Sequence, residues 1–313
     1  MAHESSWRTV AARPGRSVWT LTWVAAGLIA SSGSARAQSQ NESAKTADAA
    51  RAADSSKAGE HAKTESDLAK QSQNPVANLI SLPLQYNYYT AGGLGENSEM
   101  VLNVQPVLPV PIGERWLVIS RTIVPFVSIP FGDGFQSGGT ADIEEEAFFT
   151  KTEPEKLTWG VGPIFSFPTA SNRFARTGQW GMGPTAVALV TPGPWVIGLL
   201  ANNVWRIGGR ASNGHVLNTF TLQPFINFNL PLAWAISTSP LITADWSAPE
   251  GERWTVPIGV GVSKITHIGD QPMSFELQYY HNLKNPTPAG AEQLRLEATL
   301  LWPVARAKKE KSK

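Results

Sequence analysis

Leu157–Trp205 reads LTWGVGPIFSFPTASNRFARTGQWGMGPTAVALVTPGPWVIGLLANNVW, and its period decides the fold. Leu157, Trp159, Val161, Pro163, Phe165 and Phe167 share one face at period two, and Thr158, Gly160, Gly162, Ile164 and Ser166 share the other. One face is bulky and apolar, and the other is small or weakly polar. That is the dyad of a strand with oil on one side and a packed or wet interior on the other. Trp180–Val190 repeats the pattern, Thr191-Pro192-Gly193-Pro194 makes a tight turn, and a third strand starts at Trp195. A polar loop with Asn172, Arg173 and Arg176 lies on one side and the Pro-Gly turn on the other, so long loop and short turn alternate.

Outward from this stretch the same alternation gives about twelve strands. Val76–Thr90, Glu99–Val110, Arg115–Ile129 and Asp142–Thr150 precede it, with Pro130–Thr140 read as a long loop. Val216–Asn229, Ala233–Ser247, Arg253–Ile265, Pro272–Asn282 and Ala291–Trp302 follow it. The last is the cleanest, with Leu294, Leu296, Ala298, Leu300 and Trp302 alternating with Gln293, Arg295, Glu297 and Thr299. An even number of strands, with tight turns on one side and longer Gly- or Asn-rich loops on the other, predicts an all-β, antiparallel, up-and-down transmembrane barrel. Its short turns would face the periplasm.

Tryptophan placement agrees with that reading. Trp116, Trp159, Trp195, Trp234 and Trp302 fall at the ends expected on the periplasmic rim, and Trp180, Trp205, Trp246 and Trp254 at the outer rim. Amphipathic rings favour the headgroup level, so these nine predict two aromatic girdles.

Bulk properties exclude several classes. The net charge of +1 offers no field for nucleic acid, and the absence of cysteine rules out disulfides, thiolate metal sites and a lipobox-type anchor. Arg8, Arg13 and Arg16, an apolar run from Val18 to about Ala30, and Ala35-Arg36-Ala37 read as a signal peptide over 1–37. Residues 38–75 form a low-complexity polar arm, disordered to about Gln73 or transiently helical around Ala44–Ala53, because they lack the large apolar residues that offset ordering entropy. The barrel then occupies 76–303 and a basic tail 304–313.

Four phrases carry a family resemblance: QNPVANLISLPLQYN (Gln73–Asn87), WGVGPIFSFPTAS (Trp159–Ser171), LANNVWRIG (Leu200–Gly208) and WTVPIGVGVSK (Trp254–Lys264). Together they resemble the outer-membrane transporters named for the meta-cleavage pathway of phenol degradation, whose members are often labelled transporter or neuromedin U. The resemblance spans roughly Leu68 to Trp302. It implies an outer-membrane barrel taking up hydrophobic or aromatic compounds, with no catalytic residues to transfer. The long polar arm and the basic tail depart from the family pattern.

A search for chemistry finds little. His3, His61, His215, His267 and His281 form no metal-ligand spacing, and no cofactor motif occurs. Gly132-Asp133-Gly134 reads as an ordinary loop, with calcium binding as the alternative. A lipid-hydrolysing barrel would need a serine beside a histidine, and His281 with Asn282 is the candidate cluster. The lumen is the sharper site. Period two turns Gln85, Arg121, Asp142, Glu144, Glu146, Asn202, Arg206, Gln223, Asp245, Glu276, Arg295 and Glu297 inward. Glu145 then points to lipid, which requires a position near a rim or a bulge that re-aims it. The lumen residues either select small polar or charged solutes or fill a closed barrel. The expected function is passive uptake of small molecules, and the alternatives are a non-conducting membrane scaffold or a lipid hydrolase. The partners implied are outer-membrane lipid, a small-molecule solute and the barrel-assembly machinery.

Overall fold

The computed structural model describes residues 65–90, 98–131, 135–153, 156–212, 214–286 and 290–304. The expected signal peptide, the arm up to 64, Gly132–Gly134 and the tail from 305 lie outside the described residues. Among the described residues, a short helix (65–72) precedes fifteen strand segments. These are β1 (Leu79–Thr90), β2 (Glu99–Val104), β3 (Val107–Ile112), β4 (Trp116–Pro130), β5 (Gln136–Thr140), β6 (Ile143–Lys151), β7 (Leu157–Phe167) and β8 (Gln179–Val190). They continue with β9 (Trp195–Gly209), β10 (Asn218–Asn229), β11 (Trp234–Thr238), β12 (Ile242–Asp245), β13 (Trp254–Ile268), β14 (Gln271–Lys284) and β15 (Glu292–Pro303).

Three pairs of segments, β2 with β3, β5 with β6 and β11 with β12, each form one wall strand, so the fifteen build a closed twelve-strand antiparallel barrel. β15 closes the ring on β1 in unbroken register from Leu79↔Pro303 to Thr90↔Glu292. Connections at one end are two to five residues long, and at the other five to eleven. We call these the turn end and the loop end.

Two of the wall breaks coincide with proline, which has no N–H for the ladder. Between β2 and β3, at Gln105-Pro106, the neighbours still close up: Gln105 N donates to Pro83 O (2.9 Å) and Thr122 N to Pro106 O (3.1 Å). Between β11 and β12, Ser239-Pro240-Leu241 leaves the ladder, which splits what the sequence suggests is one strand. The third break corrects the expected loop Pro130–Thr140: Gln136–Thr140 pairs with Phe126–Pro130. QSGGT has little strand propensity of its own, and the long β4 supplies the ladder that recruits it.

Side chains alternate across the wall as period two requires. In β13, Ile258 and Val260 are each 58% exposed on the outside, whereas Ser263 and Ile265 are buried inside. Leu108, Val110, Val161, Leu199, Ile236, Leu277 and Leu296 extend the outer apolar belt around the barrel. A soluble protein does not leave so continuous an apolar surface in water. Inside, the turn end is unexpectedly apolar: Leu117, Ile119, Phe148, Val187, Leu189, Val196, Leu200 and Phe225 form one buried cluster.

What fills that end is the segment 65–77, read from sequence as polar arm up to residue 75 and as the start of the first strand from Val76, although β1 begins only at Leu79. Val76 is buried in the apolar cluster, and Leu68 and Ala69 of the helix pack on Leu79, Ala233, Ile265 and Leu301. Residues 65–73, expected to be disordered, form a helix and turn because two apolar anchors, Leu68 within them and Val76 just beyond, find a pre-formed apolar interior. Full burial of each large one is worth about 1.5–3 kcal/mol. Glycine makes the room: a Cβ on Gly160 would come within 2.9 Å of Val76 Cγ1.

Candidate channel lumen

Two polar clusters sit on opposite sides of the lumen, above the apolar turn end. The first joins β4, β6, β8 and β9. Register sets Arg121 beside Glu146, and the Arg121 Nη2 group pairs with Glu146 Oε2. Asn202 Nδ2 and Thr185 Oγ1 donate to Glu146 Oε1 at 2.9 and 3.2 Å. Glu146 is fully buried, and a guanidinium and two donors stand in for the water its carboxyl group gives up.

The second cluster joins β1, β14, β15 and the inward-bent Ser239. Arg295 donates to Asn87 Oδ1 (3.1 Å), Gln278 Oε1 (3.2 Å) and the Ser239 carbonyl (3.1 Å), and its guanidinium lies 5.0 Å from the Tyr280 ring centre. Tyr280 Oη accepts from Ser239 N at 2.9 Å, so Arg295 and Tyr280 together hold the bend at the β11–β12 break. Glu276 accepts from Gln278 Nε2 (2.8 Å) and from Ser237 Oγ. Glu297 accepts from Gln85 Nε2 and Thr299 Oγ1, each at 2.9 Å.

Between the clusters lies a cavity of about 510 Å³. Of the residues predicted from sequence, Gln85, Arg121, Asp142, Glu144, Gln223, Glu276, Arg295 and Glu297 line it. Glu146 and Asn202 lie behind Arg121. Asp142 also anchors the 168–178 loop, accepting from Ala170 N (2.8 Å), Thr177 N (3.0 Å) and Thr177 Oγ1. Two predicted residues fall elsewhere. Arg206 adjoins a bulge at Ile207, where Gly181 pairs with Arg206 but Trp180 with Gly208; it is exposed and donates to Gly209 O at 2.8 Å. Asp245 caps the turn after β12, accepting from Ser247 N (2.9 Å) and Oγ (2.6 Å).

Sequence reasoning passed over Asn87, Ser239, Gln278 and Tyr280 as site residues. Asn87 and Gln278 carried the signal, polar at period two within apolar runs. Ser239 carried none, because its role arises from the chain break. Gln71, Ser72, Gln73 and Asn74, which form the floor of the cavity, were also missed.

On the outside, the nine tryptophans stand at strand ends, and Trp180, Trp195, Trp205, Trp234, Trp246 and Trp302 are each about 40–50% exposed. Trp116 stacks on Phe149 (4.5 Å between centres) with Trp159 edge-on, and Trp246 meets Trp254 edge-on at 5.5 Å. No bulge re-aims Glu145: the β4–β6 register runs unbroken through it, opposite Thr122, and it stays outward. Ser120 Oγ and Thr122 Oγ1 satisfy it at 2.6 and 2.5 Å. His281 lies beside Glu292 (Nδ1 to Oε1, 2.8 Å) in an exposed pair at the loop end, and Asn282 Nδ2 donates to Gly290 O. Among the described residues, no group of three or more histidine and carboxylate side chains is placed to hold a metal ion.

No protein-family model matches the chain, and no curated protein matches it in sequence. Solved structures do. An outer-membrane channel from Pseudomonas putida F1 superposes with a TM-score of 0.55 at 14% identity, over 72% of this chain and 96% of that one. The CymD monoaromatic hydrocarbon channel gives a TM-score of 0.40 at 10% identity, over 72% of this chain and 88% of that one. The first likeness shows the fold alone: this chain is a closed antiparallel β-barrel, as that channel is.

Proposed function

We propose that this protein is an outer-membrane channel for passive passage of small molecules. One observation carries the reading: a closed barrel, apolar outside, encloses a polar cavity lined by both charge signs. A polar lumen inside an apolar outer wall suits a solute path across lipid. The proposal includes export by a signal peptide at 1–37, followed by a periplasmic arm and folding by the barrel-assembly machinery. It sets the turn end in the periplasm and the nine tryptophans at the two lipid interfaces. The sequence resemblance to the phenol meta-cleavage transporters supports aromatic solutes. The lining of Gln, Asn, Ser, Glu and Arg supports solutes that form hydrogen bonds.

Purified protein in liposomes, challenged with sugars, amino acids, aromatic acids and aromatic hydrocarbons, tests the proposal by swelling rate. Swelling with at least one small hydrophilic or aromatic solute is expected, and a barrel that passes none of the panel, either as wild type or with Val76→Asp in the segment that fills the turn end, sinks the reading. Planar-bilayer recording of Arg121→Ala then tests the lumen: unchanged conductance and ion selectivity would remove Arg121 from the path. A second reading, a non-conducting scaffold, is favoured by the apolar turn end and the segment that fills it.

A further inference from the structure

We propose that residues 65–77 are a removable gate at the turn end of the lumen, and that solute passes when this segment withdraws. The inference rests on the channel reading. The segment closes the lumen: Leu68 and Ala69 reach one side of the interior wall and Val76 reaches another, and Gln71, Ser72, Gln73 and Asn74 form the floor of the cavity.

What makes it a gate rather than part of the wall is where its backbone hydrogen bonds go. Gln73 N donates to Ala69 O (3.2 Å), Asn74 N to Gln71 O (3.1 Å) and Ala77 N to Asn74 O (3.1 Å). Leu79 N, at the start of β1, donates back to Ala77 O (2.9 Å), and Val76 N donates to Asn74 Oδ1 (3.0 Å). These bonds close on the segment and its junction with β1, so it can leave as a unit without opening any rung of the barrel ladder. The carbonyls and amides it already pairs do not become orphans when it moves.

Its ties to the wall are side-chain contacts near the rim. Lys70 Nζ donates to Gly193 O in the β8–β9 turn (2.8 Å). Gln73 and Asn229 exchange a reciprocal amide pair, both bonds at 3.0 Å. Glu65 lies 3.2 Å from His267. Each of these can be exchanged for water at the mouth at small cost. The two apolar anchors supply the closing force. Withdrawal uncovers a band of Leu117, Ile119, Phe148 and Phe225. An apolar constriction of this kind wets reluctantly, which biases the resting state to closed.

The chain has no cysteine, so Gln73→Cys with Asn229→Cys supplies the only two thiols. A short bis-methanethiosulfonate reagent joins them and is cleaved by reductant. In liposomes or planar bilayers the joined protein is expected to be silent, and reduction is expected to restore the swelling or conductance of the untreated double variant. Val76→Asp is expected to raise the open fraction about tenfold or more, by removing one buried anchor. Circular dichroism and heat-dependent gel migration verify that each variant is a folded barrel. A joined protein that conducts as well as the reduced one overturns the gate and leaves the channel standing. If the joined, reduced and Val76→Asp forms all pass nothing, the channel reading falls and the gate with it.

Discussion

Glu144, Glu145 and Glu146 are consecutive, yet each meets a different medium: cavity, outer wall and dry interior. Period two assigned the faces, and the structure shows what makes each tolerable. Glu146 has Arg121, Asn202 and Thr185, and Glu145 has the hydroxyls of Ser120 and Thr122. Removing one partner of a buried pair leaves a stranded charge. Arg121→Ala is expected to destabilise the barrel by about 3–5 kcal/mol. Arg121→Met combined with Glu146→Gln is expected to cost less than the single change, because no charge is left without a partner. Urea unfolding in lipid vesicles, followed by tryptophan fluorescence, checks both; a double variant less stable than the single one would refute the pairing argument. The faces of all three glutamates were legible because they depend only on local alternation. The hydroxyls on Glu145 were not, because they arrive from a strand more than twenty residues earlier in sequence, through register.

Elements were legible wherever alternation was strong and turn chemistry sharp. Twelve wall strands follow from it, and the boundaries that failed did so for stated reasons. Pro240 interrupts one expected strand, and β4 drew Gln136–Thr140 out of an expected loop. The 168–178 loop shows how an element can depend on one carboxylate. Asp142 bonds its two ends through Ala170 and Thr177, while Arg173 lies over the rings of Phe131 and Phe174. Asp142→Ala removes charge-assisted bonds worth about 1.5–3 kcal/mol. Local opening of the loop should then rise by about tenfold or more. Trypsin cleavage after Arg173 or Arg176 in the reconstituted protein measures it, and an unchanged cleavage rate would show that the loop is held by other contacts.

At the scale of the whole molecule, the balance of the lumen matters more than any pair. The cavity lining holds Asp142, Glu144, Glu276 and Glu297 against Arg121 and Arg295. Glu146 offsets Arg121 from behind. By formal charge the lining therefore leans negative, and a narrow low-dielectric interior amplifies such a lean. Under a salt gradient the reversal potential is expected to show cation preference. Glu276→Gln with Glu297→Gln is expected to reduce that preference. An anion-selective wild-type protein would show that the carboxylates do not set the field along the path.

Short-range pattern was enough for the closed antiparallel wall and its apolar outside. Each of these follows from period two and turn chemistry, which act over a few residues. Tertiary structure alone decided that residues 65–77 fill the turn end, that Ser239 bends inward beneath Arg295, and that Arg206 and Asp245 leave the lumen. Those outcomes depend on which distant surfaces meet once the ring closes. An apolar side chain such as Val76 is only a short-range preference until a matching interior exists to receive it.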